Sequence, residues 1–262
     1  MSTEPVLFDC NTTGIARLIL NRPAVHNAFD DALILELTAL LKQCDADNNV
    51  RVVILEAMGN SFSAGADLQW MQRMANYSEA KNQQDALALA ELMATLHQLS
   101  KPSIAKVQGA AFGGGVGLVA CCDIAIAAER AQFCFSEVKL GLIPAVISPY
   151  AIKALGARFC QRYFLTAERF DAVVALQAGL VHEVVSSDQL AARCEALATD
   201  LCRNGPQAIT AAKHLLQAYP FDASTQTCQQ QLAKEIARIR ISEEGQAGMQ
   251  AFFDKCDPPW VS

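Results

Sequence analysis

Glu137 lies in the stretch FCFSEVKLGLIP (residues 133–144), with Phe135, Val138, Leu140 and Leu142 around it. A carboxylate walled by hydrocarbon loses hydration of its charged form, so its pKa rises toward the range where it can both take and return a proton. The alternative is a surface glutamate paired with Lys139 or Arg130. A second device is KVQGAAFGGGVGLVACCD, residues 106–123. An apolar run ending at Val107 reads as a buried strand. Gln108 and Gly109 end it, and Ala110, Ala111, Gly113, Gly114 and Gly115 lead into an apolar helix through Leu118 and Cys122. The backbone N–H groups at such a helix start have no intrahelical partner and can face an anion or a developing oxyanion. Glycines that give clearance for close helix packing are the competing explanation. Residues 62–68, FSAGADL, follow another apolar strand in the same manner, so two turns together can supply a pair of backbone donors.

Other polar residues carry less. His26, His97, His182 and His214 fall in no Ser/His/Asp or metal-ligand spacing and read as surface or core histidines. Asp123 reads as a structural hydrogen-bond acceptor. Arg238 and Arg240 read as a solvated or interface face.

The elements that must position these groups follow from periodicity. Residues 14–21 alternate as a half-buried strand does, and residues 25–29 form a loop. Asp30 is the N-cap of a helix with Leu33, Leu37, Leu40 and Leu41 on one face. A strand at 51–57 precedes the 62–68 turn, and a helix over 79–99 keeps Leu89, Leu92, Met93 and Leu96 in register. Strands follow at 103–107, 124–127 and 132–135. From residue 148 the pattern is helical, with one strand-like interruption at 179–185, and residues 206–253 read as three helices. The expectation is an α/β core, residues 1–200, with a helical region at 201–262 packed on the core or on a neighbour. No internal repeat is evident.

Composition narrows the function. The chain has 262 residues, 52% of them hydrophobic, and a net charge of −6, which is no footprint for nucleic acid. No apolar run reaches the ~20 residues of a membrane span, and the first ten residues lack a secretory leader's pattern. The ten cysteines contain no C-x-x-C pair and read as reduced small hydrophobes, which points to the cytoplasm.

Taken together, the segments NRPAVHNAF, SFSAGADLQWM, KPSIAKVQGAAFGGGVGLVACCDIAIA, FSEVKLGLIP and FFDKCDPPW resemble the enoyl-CoA hydratase/isomerase family, the crotonases, in order and spacing over almost the whole chain. The resemblance implies a crotonase-like spiral of repeated β-β-α turns with a helical C-terminal region that builds trimers, often paired into hexamers. It implies a thioester oxygen held by the backbone N–H groups of Ala66 and Gly114, and Glu137 as the catalytic carboxylate. Ala64, Asp67, Leu68 and Gln69 would wrap the coenzyme A end of the substrate beside Val25 and Ala28, and Phe252 and Lys255 would reach a neighbouring subunit's coenzyme A. Coenzyme A belongs to the substrate, so no separate cofactor and no metal are expected. The chain departs from typical hydratases at Gly117, where the family has its first glutamate. A single carboxylate suits a hydratase that uses it twice or an isomerase that moves one proton. SEVKLGLIPAVISPY and YFLTAERFDA resemble the bacterial branch that hydrates methylglutaconyl-CoA or carboxygeranoyl-CoA, in leucine and acyclic terpene breakdown. Lys139, Lys153, Arg158 or Arg162 would then supply a countercharge. Hydration of a branched or carboxylated 2-enoyl-CoA is the first expectation. Isomerisation, hydrolysis or decarboxylation of an acyl-CoA, and RNA binding without catalysis, are the alternatives.

Overall fold

The computed structural model describes residues 4–218 and 224–261. Strands β1 (Val6–Cys10) and β2 (Ile15–Leu20) form an antiparallel hairpin that starts the chain. Helix α1 (Asp31–Ala46) follows, with Asp30 accepting from Leu33 N–H at its N-cap. The chain then runs through β3 (Val52–Ala57), β4 (Ser61–Ser63), α2 (Leu68–Met74), α3 (Glu79–Gln98), β5 (Ser103–Val107), β6 (Ala110–Phe112) and α4 (Gly114–Cys121). After β7 (Ile124–Ala128) and β8 (Gln132–Cys134) come α5 (Ser148–Leu155), α6 (Ala157–Thr166), β9 (Phe170–Asp171), α7 (Ala172–Ala178) and β10 (Glu183–Val185). Helices α8 (Leu190–Cys202), α9 (Pro206–Gln217), α10 (Gln226–Arg240) and α11 (Glu243–Asp254) end the chain.

Successive β-β-α units lay one strand in each of two sheets. The larger has the order β1-β2-β3-β5-β7-β10, parallel from β2 onward, and the smaller has the order β4-β6-β8-β9. This is the crotonase-like spiral, although no sequence repeat announces it. The reason is the brevity of the second-sheet strands: β4 and β6, three residues each, are too short to carry a period-2 signature, and only β8 is read from sequence, at 132–135. Ala110 and Ala111, read from sequence as part of a turn, are therefore strand residues, and the turn is concentrated at Gly113.

The larger sheet is buried on both faces, as parallel sheets generally are. Leu18, Val53, Leu55, Ala105 and Ala127 join the main core with α1, α3 and α4. Their neighbours Ile15, Val52, Ile54, Ile104 and Ile126 meet Leu190, Cys194 and Ala198 of α8 on the other face. That two-sided burial is why β3, β5 and β7 read as apolar runs; β2, read as a half-buried alternating strand, also buries both faces, with Leu18 on one and Ile15 on the other. The ten cysteines are free, and most are buried; burial pushes the Cys44 thiol up to about 11 and the Cys122 thiol to about 12. Residues 206–253 form three helices among the described residues, as the sequence pattern suggests.

Asp123 has a structural role. Its Oδ2 accepts from Ser103 N–H and Oγ–H, both at 2.8 Å, and from Lys213 Nζ at 2.6 Å. Lys213, on α9, is buried and also donates to Lys101 O, so this ion pair pins the helical tail to the end of β5. Removing one partner of a buried pair typically costs ~3–5 kcal/mol. Lys213→Met should therefore lower stability by about 3 kcal/mol, the low end because Asp123 keeps its Ser103 bonds. Urea denaturation checks this; an unchanged midpoint would show that the tail is held elsewhere.

Candidate active site

Glu137 opens a single 3-10 turn, Glu137–Leu140, directly after β8. A Cβ at Gly113 would lie 3.2 Å from Glu137 Oε1, so the carboxylate sits over the glycine turn. Oε2 is buried and has no hydrogen-bond partner among the described residues. Burial raises the Glu137 pKa above the ordinary glutamate range, and a backbone hydrogen bond offsets this only in part. The surface-pair alternative does not hold. Arg130 Nε donates to Gln108 O, Lys139 is exposed, and Glu137 forms no ion pair among the described residues.

The two donor turns converge beneath it. Gly113 adopts φ 51°, ψ −121°, a left-handed backbone that side chains rarely allow, and its N–H donates to Cys134 O at 2.9 Å. Gly114 is then the first residue of α4, with its own N–H unused among the described residues. On the other turn, Phe29 pairs in parallel with Ala66: Phe29 N–H donates to Gly65 O at 2.6 Å, and Asp67 N–H to Phe29 O at 2.7 Å. That pattern occupies the neighbours of Ala66 and leaves the Ala66 N–H directed away from Phe29 with no partner among the described residues. The packing alternative for the glycines also holds, because a Cβ on Gly114 would meet Phe29 Cε2 at 2.5 Å. The same glycine serves clearance and donor exposure.

Ala64, Ala66, Leu68, Gly114 and Glu137 line one cavity of about 420 Å³. Its remaining wall is mostly hydrocarbon, from Met71 and Met74 on α2, Leu89 on α3, and Leu142, Ile143 and Ile147 after the Glu137 turn. Val25, Ala28 and Gln69 lie outside this lining: Val25 and Gln69 are exposed, and Ala28 is buried under the loop. Phe252 and Lys255, on the last helix and its C-cap, also lie outside it. The four cations considered as countercharges do not line the cavity either. Arg162 pairs with Glu168 at 2.8 Å, Arg158 hydrogen-bonds Gln161, and Lys139 and Lys153 point to solvent-exposed surface.

Asp67 turns its carboxylate back into the fold. It caps α2 by accepting from Gln69 and Trp70 N–H, and it pairs with Arg22 at 3.0 Å. Burial pushes its pKa up, but the Trp70 and Gln69 N–H bonds and Arg22 outweigh this, so the net shift is downward. A lowered carboxylate pKa stabilises the fold above the ordinary value near ~3.9, and that stability is lost as pH falls through the folded value. Asp67→Ala is thus expected to cost about 1–2 kcal/mol at pH 7. That difference should shrink progressively in melts as the pH is taken below the ordinary carboxyl value and through the lowered one. A difference that stays constant as the pH is lowered would assign the loss to packing rather than charge.

The departure at Gly117 has a structural counterpart that the sequence does not reveal. A Cβ on Gly117 would lie 2.3 Å from Ile147 Cγ2 and 3.2 Å from Met93 Cε. Ile147, thirty residues downstream and part of the same cavity lining as Glu137, fills the space beside Gly117 with hydrocarbon. Trp70, Asn82 and Asp85 also line the cavity without having been singled out: no helix is read from sequence at 68–74, where α2 lies, and 79–99 reads only as a positioning helix.

Comparison with known proteins agrees with this fold. The enoyl-CoA hydratase/isomerase family model matches residues 11–262. The fold superposes on a crystal structure of an enoyl-CoA hydratase from Shewanella pealeana with a TM-score of 0.94 and 46% identity, covering 98% of this chain and 96% of that one. The 2,3-dehydroadipyl-CoA hydratase of Escherichia coli is 33% identical over 92% of each chain. The mevalonyl-coenzyme A hydratase sidH of Aspergillus fumigatus is 33% identical over 99% of this chain and 98% of its own. The chain belongs to the enoyl-CoA hydratase/isomerase family, the crotonases, and is an enzyme of the enoyl-CoA hydratase type.

Proposed function

We propose that this enzyme adds water across the 2,3 double bond of a branched or carboxylated 2-enoyl-CoA, with Glu137 as the only carboxylate in the chemistry. The observation that carries the reading is the unpartnered, buried Glu137 oxygen above a cavity shared with the Ala66 and Gly114 turns. Glu137 takes a proton from water as the water oxygen bonds to C3. The electron pair of the double bond passes to the thioester oxygen, and the enolate is stabilised by the two backbone N–H groups. Glu137, now protonated, returns its proton to C2 and is regenerated. Protons and electrons balance without a second acid.

Methylglutaconyl-CoA of leucine breakdown is the particular substrate favoured by the resemblance of residues 136–150. Two relatives named for dehydroadipyl and mevalonyl thioesters, whose acyl groups carry oxygen at the far end, support a polar acyl group. Double-bond isomerisation is the second reading, supported by the hydrocarbon wall at Ile147, since moving one proton needs one carboxylate. A panel of 2-enoyl and 3-enoyl thioesters, followed by mass, separates the two. Hydration adds the mass of one water and isomerisation adds nothing.

The tail helices support a closed homo-oligomer, a trimer or a dimer of trimers, and the free cysteines support a reducing, cytoplasmic setting. Ile241, Phe252 and Phe253 are each more than 70% exposed in the single chain, and a neighbouring copy would cover them. Light scattering at micromolar concentration tests this, and a monomer would refute it.

A further inference from the structure

Phe29 holds both donor turns at once, one with its backbone and the other with its ring. Its main chain pairs in parallel with Ala66, the N–H donating to Gly65 O at 2.6 Å and the carbonyl accepting from Asp67 N–H at 2.7 Å. Its side chain is fully buried against the second turn, where a Cβ on Gly114 would meet Phe29 Cε2 at 2.5 Å and Cδ2 at 3.0 Å. No room for even a methyl group is left between the ring and the Gly114 backbone, so the seat of that turn follows the ring. The two turns also meet directly, since a Cβ on Gly113 would lie 3.9 Å from Gly65 Cα.

The ring is anchored through its own main chain. Before it, the buried Asn27 donates from Nδ2 to Met58 O and Ser61 O, both at 2.8 Å, and accepts from Arg22 N–H at 2.8 Å. After it, Asp30 caps α1 and pairs with Arg22 at 3.0 Å. Phe29 is therefore fixed on both sides, and a buried ring packed at interior density has little freedom of its own. Burial alone would make Phe29 a core residue, but its contact at Gly114 is with bare backbone at the donor itself. Two donors stabilise an oxyanion only when each lies about 2.7–3.1 Å from it, so a rigid post between their turns controls whether both can serve one oxygen.

We infer that Phe29 is a positioning residue that sets the separation of the Ala66 and Gly114 donors, so that both reach one oxygen. This rests on the hydratase reading for the identity of that oxygen as the thioester's. Phe29 acts through the donors and not on the substrate.

The test reads the infrared band of an isotope-labelled thioester carbonyl in a saturated acyl-CoA, which reports polarisation without turnover. Binding to the parent should lower the band, and in Phe29→Leu the lowering should shrink by about half because one donor is displaced. For hydration, Phe29→Leu should lower kcat about 10–100-fold with KM within about threefold, as expected when an interaction of the transition state is misplaced. Leu41→Ala, a cavity in the same core on α1, should lower the melting temperature and leave the band unmoved. The same outcome for Phe29→Leu would make Phe29 merely structural and overturn the inference. If Phe29→Leu does not fold, Phe29→Met, which fills the site more adaptably, takes its place. A second arm approaches the contact from the other side. Gly114→Ala keeps its N–H but drives a Cβ into the ring, and kcat should fall about 10²-fold. Phe29→Leu removes Cε2, so the double variant should exceed Gly114→Ala alone in kcat by about fivefold or more. A double variant slower than both single variants would overturn the inference. A parent that turns over no 2-enoyl-CoA, yet shows the band shift and its loss in Phe29→Leu, would remove the hydratase reading and leave the positioning role standing. A parent band unmoved on binding would remove the paired donors and this inference with them.

Discussion

Replacing Glu137 by Gln is expected to reduce kcat for hydration by about 10³–10⁴-fold, at or beyond the upper end for a general acid–base group. The size follows from the lack of a free substitute: the other cavity carboxylate, Asp85, is paired with Lys81 at 3.4 Å, and the family's first glutamate position is Gly117, packed against Ile147. Affinity for a saturated acyl-CoA should change little, since both backbone donors and the apolar wall remain. Two pH experiments sharpen the test. The base works only when ionised, and burial raises the Glu137 pKa, so the acid limb of kcat/KM should lie above the ordinary glutamate value near ~4.3. The same shift has a thermodynamic sign. A raised carboxyl pKa means that the neutral form suits the folded state. The stability it confers is full below the ordinary pKa and is lost as pH rises through the folded value. Glu137→Gln, permanently neutral, should therefore melt higher than the parent at pH 8, with the gap closing toward pH 4. Hydration within tenfold of the parent would show that another group is the base. Loss of solvent-deuterium uptake at C2 together with hydration would assign both proton transfers to the one carboxylate.

Installing the missing family carboxylate should fail for steric reasons. Gly117→Glu places a Cβ 2.3 Å from Ile147 Cγ2 and 2.9 Å from Ile147 Cβ, in a buried part of the core. Overpacking of this kind costs ~1–3 kcal/mol. Burying the added carboxylate without a partner costs several more, so a total above ~4 kcal/mol is expected, a large fraction of a domain's stability. The packing part is separable with a smaller side chain. Gly117→Ala alone should cost about 1–3 kcal/mol, and Ile147→Ala alone about 2–5 kcal/mol as a cavity. The double variant should cost clearly less than the two together, because the new methyl enters the vacated space. Simple additivity in urea melts would show that Ile147 does not determine the glycine.

The sequence by itself determined the parts whose signal is local. Asp30 as a cap, the α3 stripe of Leu92, Met93 and Leu96, and the strands at 52–57 and 103–107 all follow from short-range chemistry and periodicity, while the pairing of those two strands does not. So did the candidate donors, because a glycine-rich strand-to-helix turn exposes backbone N–H groups whatever surrounds it. Tertiary structure decided what depends on residues distant in sequence. The second sheet needed the tertiary structure, because β4, β6 and β9 are too short to leave a pattern and only β8 was legible. Asp67, near the substrate wrap in sequence, turned out to spend its carboxylate on Arg22 and its own helix. The candidate countercharges at 139–162 point away from the cavity, while Trp70, Asn82 and Asp85 face it. Gly117 reads in sequence only as a missing glutamate. Its reason is the Ile147 side chain, thirty residues away, because packing volume belongs to the pair and not to either residue alone.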